Sequence, residues 1–460
     1  MNTPYAREAR GTSTYMQILV LGAGDIGFQL GKRLSQGKYD TTIIESDPAK
    51  VKRASEQLDA IVVEGHAASH KVLEDAGVAE KDIVAAMTND DEVNLLACMI
   101  AKKLGNPTTI ARVRNPELTE PGFALSHEEM GVDYVIHPEQ ETAKAIVRLI
   151  QQATATDVIE LEDGKIQIVG VRLEMGSPLL RKPLSQLSAE FGDPPMRVVA
   201  INRNQRTLIP RGDNELVPGD HVFAVCGTDF IQKFIELTGK RDIEIQDMMI
   251  LGGGLVGQFV AKKLSTRINI KIVESNVGKS EQIANLLPNT LVIQGDGTDI
   301  DLMAVEGLQD MDAFVAVTGD DETNIISTLV AKHLKVPRTI ALVNTLEYLP
   351  ITPTIGMDAV VSKQLLTVNA VNRFIQHQQI AAYATIPGIE VHIIEYIAKK
   401  GKITRKPIKE LRFPSDAIVG AIMRDDKMTV PKGDTTIQPG DRVVVFTTPK
   451  SLIEVEKLFK

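Results

Sequence analysis

With 460 residues, 43% of them apolar, and a net charge of -9, the chain can bury several cores, and its Lys and Arg are dispersed without the basic tract of a nucleic-acid binder. Cys98 and Cys226 sit in apolar contexts (LLACMIA, HVFAVC), which fits core thiols in a reducing compartment. The chain lacks the run of about 18 apolar residues that crosses a membrane, and residues 1–15 lack the apolar stretch of a signal peptide. The expectation is a soluble protein with a disordered extension ahead of Met16.

From Met16 the strand-like runs alternate with helical patterns. QILVL (17–21) runs into GAGDIG at Gly22 to Gly27 and a helix; TTIIE (41–45) precedes a helix after Pro48; AIVVEG (60–65) precedes SHKVLEDAG. DIVAAM (82–87) precedes EVNLLACMIAKKL, and TTIARV (108–113) and DYVIH (133–137) follow. Strands alternating with helices predict a parallel sheet covered on both faces, a Rossmann-like domain. It closes on a helix from about Glu139 to Gln152, where Ala143, Ile146, Val147 and Ile150 recur at helical spacing. That apolar stripe packs either on its own sheet or on a second protomer.

The period then changes. DVIELEDGKIQIVGVRL (157–173), MRVVAINRN, TLIPRGDNELVPGD and HVFAVC are short strands punctuated by Gly, Pro and Asp, with PGD (218–220) as a turn, and they predict a small β-rich domain. The whole order then recurs. MMIL (248–251) runs into GGGLVG at Gly252 to Gly257, a helix spans Leu365 to Gln376 with Leu366, Ala370, Val371, Phe374 and Ile375 on one stripe, and GIEVHIIEY begins a second β-rich segment. The fold class is therefore α/β: two Rossmann-like doubly wound domains (16–153 and 246–380), each followed by a small β-rich α+β domain (154–240 and 381–460).

Each glycine turn carries phosphate-binding chemistry. Gly22 permits the tight turn, Gly24 lets the main chain approach a pyrophosphate, Gly27 lets helix meet strand, and the helix N-terminus offers free N–H groups. Glu45, at the end of the second strand, suits the two hydroxyls of an adenosine ribose and would repel a 2′-phosphate, favouring NAD(H) or ATP over NADP(H); Glu274 repeats the argument. Thr88 and Asn89 fall at the crevice, while Asp90, Asp91 and Glu92 suit the cap and first turn of the next helix. His66 either touches a nucleotide or is an exposed loop residue. Arg112 and Arg114 end the fifth strand, where Arg112 either reaches a phosphate or forms a structural salt bridge. The second half has Leu342 and Asn344 there, and Asp296 in place of His66, so the two sites should differ in ligand preference.

The order GAGDIG, GHAASH (65–70), TNDDEVN (88–94) and ARVRNPEL, repeated as GGGLVG, GDGTD, TGDDETN (318–324) and ALVN, resembles the TrkA-type peripheral subunits of Trk potassium-uptake systems, with RCK N- and C-terminal domains, from Met16 to the C-terminus. The resemblance implies a cytoplasmic regulatory subunit, peripheral on the inner face of the membrane. It implies a homotetrameric gating ring that binds NAD(H) and ATP or ADP and opens a membrane potassium-channel subunit of the TrkH type. It also implies a first nucleotide site of Gly22, Ala23, Gly24, Asp25, Ile26, Glu45, Thr88, Asn89 and Arg112, and a second of Gly252, Gly253, Gly254, Leu255, Val256, Glu274, Thr318 and Gly319.

Two other classes compete. A sensor of some other membrane transporter is the alternative, since the partner surface carries no readable motif. An NAD-dependent oxidoreductase needs an acid–base group at the crevice, for which His137 is the one candidate, with Ser362 at the repeated position. No metal cluster is expected.

Overall fold

The computed structural model describes residues 15–35, 39–120, 122–161, 165–190, 196–204, 206–240, 244–352, 355–376, 382–385, 389–425 and 427–459. The expected extension at residues 1–14 lies outside them. The chain divides into two compact units, residues 1–138 and 139–460.

The first unit holds β1 (Met16–Leu21), α1 (Asp25–Ser35), β2 (Tyr39–Glu45), α2 (Pro48–Gln57), β3 (Ile61–Glu64), α3 (His70–Asp75), β4 (Ile83–Ala86), α4 (Asp91–Leu104), β5 (Thr108–Arg112) and β6 (Tyr134–Ile136). Its sheet runs β3-β2-β1-β4-β5-β6 with every pairing parallel. Apolar strand residues such as Leu19, Leu21, Val84 and Ala111 are buried with Cys98 of α4 in one core, as a parallel sheet between helices demands. Helix starts are set by side-chain caps: Asp47 accepts from Ala49 N at 2.9 Å and Asp90 from Val93 N at 2.8 Å. The strand order reverses between β1 and β4, which opens the crevice at their carboxyl ends.

The second unit begins with α5 (Pro138–Gln151), from Glu139 onward, and continues with β7 (Asp157–Leu161), β8 (Ile166–Arg172), α6 (Leu184–Glu190), β9 (Met196–Arg203), β10 (Arg206–Leu208), β11 (His221–Gly227) and α7 (Ile231–Leu237). A second parallel-sheet domain follows: β12 (Asp247–Leu251), α8 (Leu255–Leu264), β13 (Asn269–Glu274), α9 (Val277–Leu286), β14 (Thr290–Gln294), α10 (Ile300–Val305), β15 (Ala313–Ala316), α11 (Asp321–His333), β16 (Arg338–Leu342), β17 (Ala359–Val361) and α12 (Lys363–Gln376). The chain ends in β18 (Ala382–Thr385), β19 (His392–Ile397), β20 (Ala417–Arg424), β21 (Lys427–Thr429), β22 (Arg442–Thr447) and α13 (Leu452–Phe459). The second parallel sheet, β14-β13-β12-β15-β16-β17, repeats the first, and the two antiparallel sheets, β7-β8-β11-β9-β10 and β18-β19-β22-β20-β21, share one order.

The expected PGD turns close those antiparallel sheets. Gly219 and Gly440 take φ of +86° and +94°, which only glycine adopts at low cost. The aspartate that follows is buried and grips an arginine: Arg203 donates to both oxygens of Asp220 at 2.8 Å, and Arg424 to those of Asp441 at 2.8 and 2.7 Å.

Helix α5 has a partner that neither reading of its stripe names. Ala143, Ile146, Val147 and Ile150 share a core with Ile250 of β12, Val315 of β15, Ile340 of β16 and Val169 of β8, so α5 packs on the second Rossmann sheet of the same chain. It also meets α12, through Glu139 to Lys363 at 3.4 Å and Glu141 to Arg373 at 3.7 Å. The two small domains pack on one another too, Ile168 and Phe223 against Ile393 and Phe446. Both cysteines are fully buried and free, and burial pushes each thiol up to about 12, so they are inert core residues. Among the described residues no helix is long and apolar enough to cross a membrane.

Candidate functional site

The two crevices are built by the glycine turns. Gly22 and Gly252 adopt φ of +95° and +105°, and a Cβ on either would press on the loop after the fourth strand, 3.2 Å from Thr88 or 2.9 Å from Thr318 N. A Cβ on Gly27 would lie 2.0 Å from Gly22 O, so the first turn of α1 can pass the strand end only as glycine. Gly24 and Gly254 differ in kind: a Cβ there meets nothing within 4 Å. That open side, beside the first-turn N–H groups of Asp25 and Ile26 or Leu255 and Val256, is where an anion can approach.

The acids stand against these turns. Glu45, 7% exposed, accepts from Ala23 N at 2.6 Å through Oε2, and from Ser46 N and Asp47 N at 2.8 and 2.9 Å through Oε1. The glycine turn thus orients the carboxylate, which with about four lone-pair directions keeps capacity for a further donor. Glu274 accepts from Gly253 N at 3.1 Å and Asn276 N at 3.0 Å, and also from Lys279 Nζ at 2.7 Å. Burial opposes ionisation of Glu274, and the Lys279 ammonium with those N–H groups outweighs it, holding the carboxyl below its ordinary value. Nothing in the sequence marks Lys279 beforehand, because a five-residue offset at a strand end has no fixed geometry.

The TNDDEVN and TGDDETN motifs prove to be clamps. Asn94, fully buried, accepts from Thr88 N and Oγ1 at 3.0 and 2.7 Å and donates to Arg112 O at 2.9 Å and Thr88 O at 3.2 Å. Asn324 does the same with Thr318 at 2.9 and 2.8 Å and with Leu342 O at 2.9 Å. Asp90 is the cap that the sequence predicts, and Asp320 repeats it, accepting from Thr323 N at 2.7 Å. Asp91 is not merely a first-turn acid: it accepts from Arg114 N and Asn115 N at 2.9 and 2.8 Å, as Asp321 does from Asn344 N and Thr345 N at 3.0 and 2.7 Å. These residues join the ends of the fourth and fifth strands, which fixes the crevice floor. Only their recurrence at the same spacing in both halves signalled them.

Arg112 is 6% exposed, and its Nη1 donates to Asn89 Oδ1 at 2.7 Å and Thr88 O at 3.0 Å. The guanidinium is thus tied through Nη1 to the loop that carries two other predicted site residues. Arginine and acceptor change together in the second half, to Leu342 and Gly319. His66 is exposed, its Nδ1 accepting from Ala68 N at 3.2 Å; Asp296 holds a turn of its own through Thr298 N at 2.9 Å. His137 is engaged at both ring nitrogens, with Val113 O at 2.8 Å and Thr119 Oγ1 at 3.0 Å. Among the described residues no cluster of His, Cys, Asp or Glu could hold a metal.

The TrkA-N domain model matches residues 18–138 and 248–363, and the TrkA-C domain model matches residues 168–239 and 394–460. The chain is 32% identical over 452 residues to the Trk system potassium uptake protein TrkA of Azorhizobium caulinodans (97% of this chain, 99% of the relative). It is 34% identical over 455 residues to TrkA homolog 2 of Methanosarcina mazei (97% and 100%), and 31% identical over 452 to TrkA of Haemophilus influenzae (97% and 99%). The fold is shared with the GsuK RCK domain (TM-score 0.60, 18% identity, 98% of this chain and 96% of that one) and with the GsuK channel bound to NAD (TM-score 0.61, 19% identity, 98% and 79%). Two parallel-sheet domains with intact glycine turns, each followed by an antiparallel domain of one strand order, and matches along nearly the whole chain, place it: the chain belongs to the TrkA family.

Proposed function

We propose that the chain is the cytoplasmic regulatory subunit of a potassium-uptake system, a homotetramer on the inner face of the membrane that gates a TrkH-type channel subunit according to the NAD(H) and ATP or ADP bound at its Rossmann crevices. The observation that carries this reading is the pairing, twice, of an open glycine turn with a carboxylate which that turn itself orients. The relatives' shared name, and the NAD and ADP bound by GsuK, support the ligands and the potassium link. The engagement of both His137 ring nitrogens by Val113 and Thr119 favours binding over catalysis. A nucleotide moves such a ring only by binding two arrangements of it unequally.

The test is potassium flux into proteoliposomes holding a TrkH-type subunit and this chain, with and without ATP, ADP and NADH. Flux that changes with nucleotide only when the chain is present supports the reading. Flux indifferent to the chain, or NADH oxidation by the chain with a carbonyl panel, would overturn it.

A further inference from the structure

A second kind of site lies away from both glycine turns. A cavity of about 770 Å³, within the range of roughly 300–1,000 Å³ usual for small-ligand sites, is bounded by the first antiparallel sheet, the bottom of the second Rossmann sheet near Asp358, and Glu390. One row of side chains crosses the antiparallel sheet and lines it: Thr207 on β10 is paired with Asn202 on β9, Asn202 with His221 on β11, and His221 with Arg172 on β8. Directly opposed residues share a face, so the four polar groups stand side by side.

The same row in the second antiparallel sheet reads differently. Met428, Met423, Arg442 and Ile397 occupy the matching registers. Three of its four members are apolar, and Met423 is 4% exposed in a packed core. Arg442 is neutralised by the buried Glu395 at 2.6 Å. In the first sheet Gly170 stands where Glu395 does, and Asp157 reaches over it from β7 to His221 Nε2 at 3.1 Å; a Cβ on Gly170 would lie 2.8 Å from Asp157 Oδ2. The two sheets have one topology, so backbone does not demand the polar row.

Three carboxylates and one guanidinium line the cavity, and two of the carboxylates are engaged by other groups. Asp157 Oδ2 lies 3.1 Å from His221 Nε2, which Thr156 Oγ1 also meets at 2.5 Å, and Asp358 accepts from Lys332 Nζ at 2.6 Å and from Thr339 N and Oγ1 at 2.9 and 2.8 Å. Glu390 is exposed at the rim, its N–H held by Thr207 Oγ1 at 3.1 Å. Arg172 is half-buried and its guanidinium has no ion-pair partner among the described residues. A guanidinium offers five donors in a fork that fits a carboxylate or a phosphate.

We propose that this cavity binds a small anion bearing carboxylate or phosphate groups, held by Arg172 with Asn202 and the His221 ring beside it. The site is independent of the nucleotide crevices. The test is isothermal titration calorimetry of the full chain with citrate and, separately, inorganic phosphate at constant ionic strength, the two probes separating carboxylate from phosphate chemistry. Saturable binding of at least one probe is expected, weakened tenfold or more by Arg172→Ile and by the double variant Asn202→Met/Thr207→Met, which copies the second sheet. The double variant carries the test if Arg172→Ile fails to fold. No saturable binding of either probe, or equal affinity in the wild type and the variants, would overturn the proposal.

Discussion

The two glycine-turn crevices share one backbone and differ in what surrounds it. In the first, Glu45 is held by main-chain N–H groups alone, and Arg112 braces Thr88 and Asn89. In the second, a lysine sits on Glu274, glycine replaces Asn89, and leucine replaces Arg112. What stays constant is therefore the scaffold, namely the turn, the asparagine clamp and the capping aspartate. What varies is charge at the ligand's edge, the property that distinguishes one nucleotide from another.

The largest effect should fall on the shared scaffold. Asn94→Ala strands a buried Thr88 N–H and the Arg112 carbonyl, and Asn324→Ala does the same to Thr318 and Leu342, so each should cost about 1–3 kcal/mol in denaturant unfolding. A cost confined to one copy would break the claim that both clamps do one job. Next, Arg112→Ala should weaken ATP binding at the first crevice by roughly tenfold, about 1.4 kcal/mol, by loosening the Thr88–Asn89 loop, while Leu342→Ala leaves the second unchanged. Calorimetry showing unaltered ATP affinity would remove Arg112 from the site.

The smallest effect is electrostatic. Glu274 titrates below its ordinary value, so its ionised form adds stability that is present above about pH 4.3 and lost as pH falls through the folded-state value. Lys279→Ala should move acid unfolding to slightly higher pH, a change of about 0.3–1 kcal/mol because the lysine is 41% exposed. Lys50→Ala, at the matching position of the first half, should leave the acid limb where it is, since Lys50 faces Asp47 at 3.8 Å and not Glu45.

The domain order and the glycine turns were legible because each is local: strand–helix alternation and a turn of fixed spacing need no distant partner. The destination of α5 was not. Periodicity marks which residues of a helix are apolar, and Ile146 reads the same whether its own sheet, another chain or the second repeat covers it. The sequence places Arg112 at the strand end and shows its reach, but not that Asn89 Oδ1 would meet its Nη1 at 2.7 Å. Asp91 and Asn94 were hidden for a related reason: their partners at 114 and 112 are remote in sequence and are main-chain atoms, which carry no residue signature.

The inequality of the crevices is tested most directly by closing them one at a time. Gly24→Asp and Gly254→Asp each place a carboxylate in open space, where no neighbour lies within 4 Å, so the fold is spared while a phosphate is repelled. Calorimetric titration of ATP into the full chain should then show a tight phase that Gly24→Asp abolishes and Gly254→Asp leaves intact. A tight phase lost through Gly254→Asp, or halved equally by either substitution, would contradict the account.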